Sequence, residues 1–357
     1  MNRKFIQLLA LGVVGLSLFC GLAAPVTKVD ARPVGSFLQG GKANTILAMI
    51  TPMRITEAGV LEYLDVNTKT YTSAGLIESH RHLIYPYSPV KRVDFLIIHY
   101  DTFPNLRSDG KPGTVQNTVA NLNDGRMASI HYCVDSYPIS SQNKPGMGMG
   151  VLMATQPAAL PYRARHTAIS VSLENGVDPN SQQTAELMEK LGILNKLSQF
   201  NLDKKKDMDA VSIGIEQSGN DFSKHFPLNM PPEREIANLL SLIIAASHRY
   251  SLKIWDILGH NEIQQKPDPG YEYMTILRLL LARLYFEKQS LFPKNFLGVE
   301  AQDFYDDLKQ YASAAMGEQN YEKVLDWLEI AEPNVLPLRG IEIKKRRPCG
   351  GALFGLY

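Results

Sequence analysis

Residues 259–270 read Gly-His-Asn-Glu-Ile-Gln-Gln-Lys-Pro-Asp-Pro-Gly, which places His260, Lys266 and Asp268 within one short loop. A neutral imidazole and a carboxylate are both good zinc donors. One further ligand from elsewhere would complete a three-residue site whose fourth position stays open for water. Taken alone, the loop also reads as a structural turn rich in proline and glycine.

The missing groups stand at the ends of two candidate strands. The β-rich run over residues 93–100 has four consecutive large apolar residues, Phe95 to Ile98, followed by His99, a pattern that suits a central buried strand. The apolar alternation over residues 210–216 ends on Glu216. Both side chains would emerge near one sheet edge, where open α/β sheets place their sites. His99, His260 and Asp268 would then form a two-histidine, one-carboxylate zinc centre, although the same ligands accept other divalent ions. A hydrolase also needs a base and a cation for the developing oxyanion. Glu216 and Lys266 are the candidates, while spacing alone favours a solvated group at each.

These residues need elements to position them. A helix is expected over 114–122, stopped by Asn123-Asp124-Gly125, then a strand around Ser129 to Val134 that carries His131 and Cys133. Pro231-Pro232 opens a helix running to about Tyr250, with Ile236, Leu239, Leu240, Ile243 and Ile244 in one apolar stripe. A second helix is expected over 273–288, so the His260 loop lies between two helices, after a short segment, 253–258, of strand character. Strands alternating with helices indicate an α/β fold: a mixed central β-sheet flanked by helices, with an N-terminal extension and a helical C-terminal region.

The expected organisation is a signal peptide over 1–31, an N-terminal extension over 32–92 that wraps the domain, a catalytic domain over 93–287 that holds the candidate zinc site, and helices with a tail over 288–357. The C-terminal helices are expected at 302–315 and 321–332. Residues 174–209 read as a surface excursion, and the lysine run 204–206 as a solvated face. The His80-Arg81-His82 pair reads as solvated, and His131 as a packed core imidazole.

The 357 residues are 45% hydrophobic and 20% charged, with a net charge of +1, an ordinary globular composition without global electrostatic support for nucleic acid. Arg3 and Lys4 precede an apolar stretch over 5–22, and small residues follow at Ala23-Ala24 and Ala31. This reads as a secretory signal, giving an exported protein, periplasmic or associated with the cell envelope. Membrane attachment is expected only if that segment is not cleaved. Phe19 before Cys20 argues against lipidation. Cys133 and Cys349 are the cysteines beyond it, too few for a disulfide framework, and Cys133 is expected to be a small buried thiol.

Five segments in order carry a family resemblance: Ile97-Ile98-His99-Tyr100, Ser129-Ile130-His131-Tyr132, Ala164-Arg165-His166, Ser212-Ile213-Gly214-Ile215-Glu216, and Gly259-His260 through Lys266-Pro267-Asp268-Pro269-Gly270. Together they resemble the type 2 N-acetylmuramoyl-L-alanine amidases, zinc enzymes related to the peptidoglycan recognition proteins. The resemblance covers roughly residues 90 to 285. It implies that His99, His260 and Asp268 bind Zn2+, that Glu216 orients and deprotonates the attacking water, and that Lys266 stabilises the oxyanion. The implied substrate is peptidoglycan or a muropeptide, cut between N-acetylmuramic acid and L-alanine.

His166 matches the family's Trp-His segment, which lines the cleft and contacts substrate, but Arg165 replaces the tryptophan. Gln265 stands where an arginine usually precedes the loop lysine, and Asp101 where threonine usually follows the tyrosine. Two other functions share this sequence pattern. One is a module that holds muropeptides without cutting them, and the other is a zinc hydrolase of a different amide.

Overall fold

The computed structural model describes residues 41–75, 92–100, 130–140, 151–153, 166, 201–202, 205–206, 209, 211–218, 222, 225–263 and 266–330. The signal segment, the His80-Arg81-His82 pair, the 114–122 helix, most of the 174–209 excursion, Gln265, Cys349 and the basic tail lie outside the described residues.

In chain order the elements are α1 (Gly41–Ala48), β1 (Met53–Ile55), β2 (Leu61–Leu64), β3 (Tyr71–Ser73), β4 (Phe95–Tyr100), β5 (Tyr132–Val134), β6 (Val151–Met153), β7 (Asn201–Leu202), β8 (Lys205–Lys206) and β9 (Ser212–Gln217). There follow α2 (Glu233–Tyr250), β10 (Ile257–Gly259), α3 (Tyr271–Glu287), α4 (Ala301–Met316) and α5 (Glu318–Leu328). The main sheet runs β10-β4-β9-β5-β6; its first three pairings are parallel and the last is antiparallel, so the sheet is mixed. Every residue of β4 and β9 is buried. For β4 that follows from its apolar run, because a strand covered on both faces has no solvent side on which to alternate; β9 alternates, and its polar residues Ser212 and Glu216 are buried on the face of the candidate site.

Two helices seal this sheet differently. The apolar stripe of α2 is fully buried at Ile236, Leu239, Leu240 and Ile243. Its C-terminus turns at Ser251, in a left-handed conformation, whose N–H bonds the Ser247 carbonyl. Helix α3 is buried throughout residues 273–284, as its almost uninterrupted apolar sequence requires. Its other side is covered by α4 and α5, and one hydrophobic core contains residues from Ala43 to Ile330.

Of the N-terminal extension, residues 41–75 are described, and they pack against this core. Strand β1 packs along α2, the Thr51 N–H donates to Ser241 Oγ at 3.0 Å, and Arg234 Nη1 donates to the Met49 carbonyl at 3.1 Å. The segment before His260 is only partly a strand. Ile254–Asp256 form a 3₁₀ turn because the Asp256 carboxylate accepts the Lys253 N–H at 2.8 Å, a local bond that competes with strand pairing. Among the described residues no helix is long and apolar enough to cross a membrane.

Candidate metal centre

The parallel register explains why the predicted site residues meet. His99 of β4 pairs with Glu216 of β9, which pairs with Cys133 of β5, so these three residues form one row on one sheet face. On the other side of β4, Leu258 is level with Ile97, which sends His260, just past β10, to the same face as His99. Asp268 comes back to this place because the Asn261 N–H donates to its carbonyl at 2.7 Å, while Asn261 Oδ1 accepts the Gly270 N–H at 3.3 Å. Gly270 makes the turn at φ 99°, a conformation that favours glycine.

His99, His260 and Asp268 are all buried, and their donor atoms converge. His99 Nδ1 lies 3.1 Å from His260 Nδ1 and 3.4 Å from Asp268 Oδ2, and His260 Nδ1 lies 2.9 Å from the same oxygen. Ligands held at about 2.0–2.1 Å around a tetrahedral zinc stand about 3.3 Å apart. The triangle therefore has the size of one face of such a tetrahedron, slightly contracted. The donor set of two imidazoles and one carboxylate fits zinc as well.

Protonation favours the same use. Burial, helped by the neighbouring His260, holds the His99 imidazole down at about 4 in spite of the raising effect of Asp268, so it is neutral at neutral pH. Burial raises the Asp268 carboxyl, but the hydrogen bonds and charge interactions with His260 and His99 together outweigh it and hold the group well below the usual carboxylate range. A neutral imidazole and an ionised carboxylate are the states a metal requires.

His166 was expected to line the cleft. In the structure it is buried, its Nδ1 is 3.2 Å from His99 Nε2, and its Nε2 is 3.1 Å from Ser212 Oγ. The space for its ring comes from Gly214: a Cβ there would lie 2.5 Å from His166 Cγ. Burial, together with His131, His99 and His260 around it, pushes His166 well below its ordinary value. The His166 N–H also reaches Asp209 Oδ1 at 3.3 Å. His131 is fully buried one residue before β5, and its Nδ1 accepts the Gly214 N–H at 2.9 Å. Its packed position agrees with its reading as a core imidazole.

Glu216 is buried beside His99, whereas Lys266 is exposed on the loop and is not drawn into the buried triad. Sequence reasoning missed Ser212, Asp209 and a second buried cluster behind His260. There Arg278 makes a bidentate pair with Glu262 at 2.7 and 2.8 Å, and Tyr311 also donates to Glu262. The signal was a lone arginine in the apolar run Ile276-Leu277-Arg278-Leu279-Leu280.

Comparison with known proteins places this site in a family. Residues 89–271 match the family model described as N-acetylmuramoyl-L-alanine amidase. Three solved structures are similar at low identity. The catalytic domain of XlyA has 11% identity, covering 58% of this chain and 99% of that one, with a TM-score of 0.32. The endolysin amidase LysCS from Clostridium intestinale URNW has 12% identity, covering 56% and 92%, with a TM-score of 0.29. The amidase AmiD from E. coli, solved with anhydro-N-acetylmuramic acid-L-Ala-D-gamma-Glu-L-Lys, has 17% identity, covering 67% and 94%, with a TM-score of 0.32. No curated protein matches the chain. The family match spans more than half of the sequence and all the residues of the buried triad, so the chain belongs to the N-acetylmuramoyl-L-alanine amidase family.

Proposed function

We propose that this amidase is a zinc enzyme that hydrolyses the amide between the lactyl group of N-acetylmuramic acid and L-alanine, acting outside the cytoplasm on peptidoglycan or its muropeptides. The observation that carries the zinc reading is the convergence of His99 Nδ1, His260 Nδ1 and Asp268 Oδ2 within 3.4 Å of one another. Export is supported by the basic start and apolar stretch of residues 3–22.

Zinc held by these three residues would supply Lewis acidity toward a carbonyl oxygen and make water a stronger acid. The chain supplies the rest. Glu216 stands level with His99 on the neighbouring strand, about 4.8 Å away in backbone spacing, and its carboxylate takes the proton from the attacking water. Lys266, exposed at the mouth of the loop, brings its ammonium to the oxyanion when substrate covers it. His99, with Nδ1 committed to the metal, carries its proton on Nε2 and donates it to His166 Nδ1. His166 in turn donates Nε2–H to Ser212 Oγ. That chain fixes the ring of His99 and its tautomer.

The test is digestion of a defined muropeptide by zinc-loaded protein, followed by mass spectrometry. Free stem peptide beginning with L-alanine is expected, and Glu216→Ala should lower kcat by about 10²–10⁴-fold while retaining zinc. Intact muropeptide after prolonged incubation with the zinc-loaded protein would contradict the proposed activity.

A further inference from the structure

The turn that carries His260 is held from behind by residues that no part of the amide-cleaving reaction uses. The Glu262 carboxylate, 2% exposed, accepts the Gly259 N–H through Oε2 at 2.8 Å, which closes the turn around His260. The same carboxylate receives both Nη atoms of Arg278, which also donates to the Ile257 carbonyl of β10 at 2.9 Å. Its remaining donor is the hydroxyl of Tyr311, from α4, beyond the region that matches the family.

Tyr311 also touches the other half of the loop. Its ring meets Tyr271 edge-on at 6.3 Å, and Tyr271 follows Asp268 by three residues. Trp255, just before β10, packs against Tyr311 at 5.6 Å, and the Arg278 guanidinium faces both rings at 4.7 and 5.1 Å. Both ligand-bearing ends of the loop are thus braced on one side chain of the C-terminal helices. Buried at 1% exposure, Tyr311 has little freedom to move away.

We propose that Tyr311 is a positioning residue for the metal centre: through Glu262 and Tyr271 it holds His260 and Asp268 at the separation a metal ion requires. This rests on the zinc reading of the triad but not on the identity of the substrate. The C-terminal helices thereby acquire a task in the site itself. A contact one layer behind a ligand matters because a ligand loop free to relax loses part of its metal affinity as ordering cost; such partners are typically worth about 10- to 100-fold in affinity or activity.

The experiment measures zinc affinity by competition with a chromophoric chelator, on the full-length protein and three variants. Tyr311→Phe removes the hydroxyl and keeps the ring, so zinc should bind about 10-fold more weakly, and chelator should strip it faster, with an unchanged far-ultraviolet spectrum. Glu262→Gln keeps the shape and should weaken zinc at least as much. Tyr305→Phe, on the same helix but packed against Phe286 and Phe304, should bind zinc like the unaltered protein even where it lowers the melting temperature. Wild-type zinc affinity in both Tyr311→Phe and Glu262→Gln would overturn the proposal, as would an equal loss in Tyr305→Phe. A wild-type protein that binds no zinc would overturn the metal reading and this inference together. One that binds zinc with the expected pattern but cleaves no muropeptide would contradict only the proposed substrate.

Discussion

Two buried polar clusters lie back to back on the His260 turn, and they solve opposite problems. Behind the turn, Glu262 is surrounded by donors: two from Arg278, one from Tyr311 and one from the Gly259 backbone. Its charge is paired and each of its oxygens has two partners, so the cluster is closed around the carboxylate. In front of the turn, His99, His260 and Asp268 point their donor atoms at one another within 3.4 Å. Hydrogen bonds join these groups to one another, and each can also give an electron pair to a cation placed between them. Three side chains of metal-ligating type whose donor atoms converge in this way mark a candidate cation site, which Glu262, matched by its own donors, does not. The closed cluster braces the turn and the open one holds the candidate metal ligands, and a single three-residue turn joins both.

The largest expected effect comes from opening the closed cluster. Arg278→Met keeps much of the side-chain volume but leaves Glu262 buried without its cation, and should cost about 3–5 kcal/mol of stability in urea unfolding. A loss well under 1 kcal/mol would mean that Glu262 is not held as an ion pair. Next comes removal of a corner of the open cluster. Asp268→Ala should weaken zinc by more than about 100-fold, the upper end of what an outer partner is worth. Zinc should then raise the melting temperature of the unaltered protein but not of this variant, since a ligand stabilises only the state that binds it. Equal zinc-induced shifts in both would remove Asp268 from the site. Smallest in this order is the hydroxyl of Tyr311, where the two clusters communicate.

Much of the open cluster was legible in the sequence, and almost none of the closed one. His99 and Glu216 could be placed because strand ends are marked by where an apolar run stops, and parallel strands put such ends on one edge. The loop from Gly259 to Gly270 carried its own ligands at short spacing. Glu262 stood in the same loop, but its partners Arg278 and Tyr311 come from 16 and 49 residues away, on helices whose packing no local pattern specifies. Arg278 alone left a trace, as a charge inside an otherwise apolar helix.

The resemblance to the family drew attention to His166, yet its place beside His99 depends on Gly214. A missing side chain on β9 makes room for a ring contributed from 48 positions earlier, and nothing in either segment alone signals that fit. The strand expected before His260 came out as half turn because Asp256 folds back on Lys253, a side-chain bond that hydrophobic periodicity does not register.

The most direct test of the central claim is X-ray absorption at the zinc edge of the metal-loaded protein. The convergent triad predicts one zinc per chain, with nitrogen and oxygen neighbours only, at about 2.0–2.2 Å, including the outer-ring scattering of two imidazoles. A sulfur neighbour near 2.3 Å, which would bring in a cysteine such as Cys133, or a shell without imidazole, would contradict it.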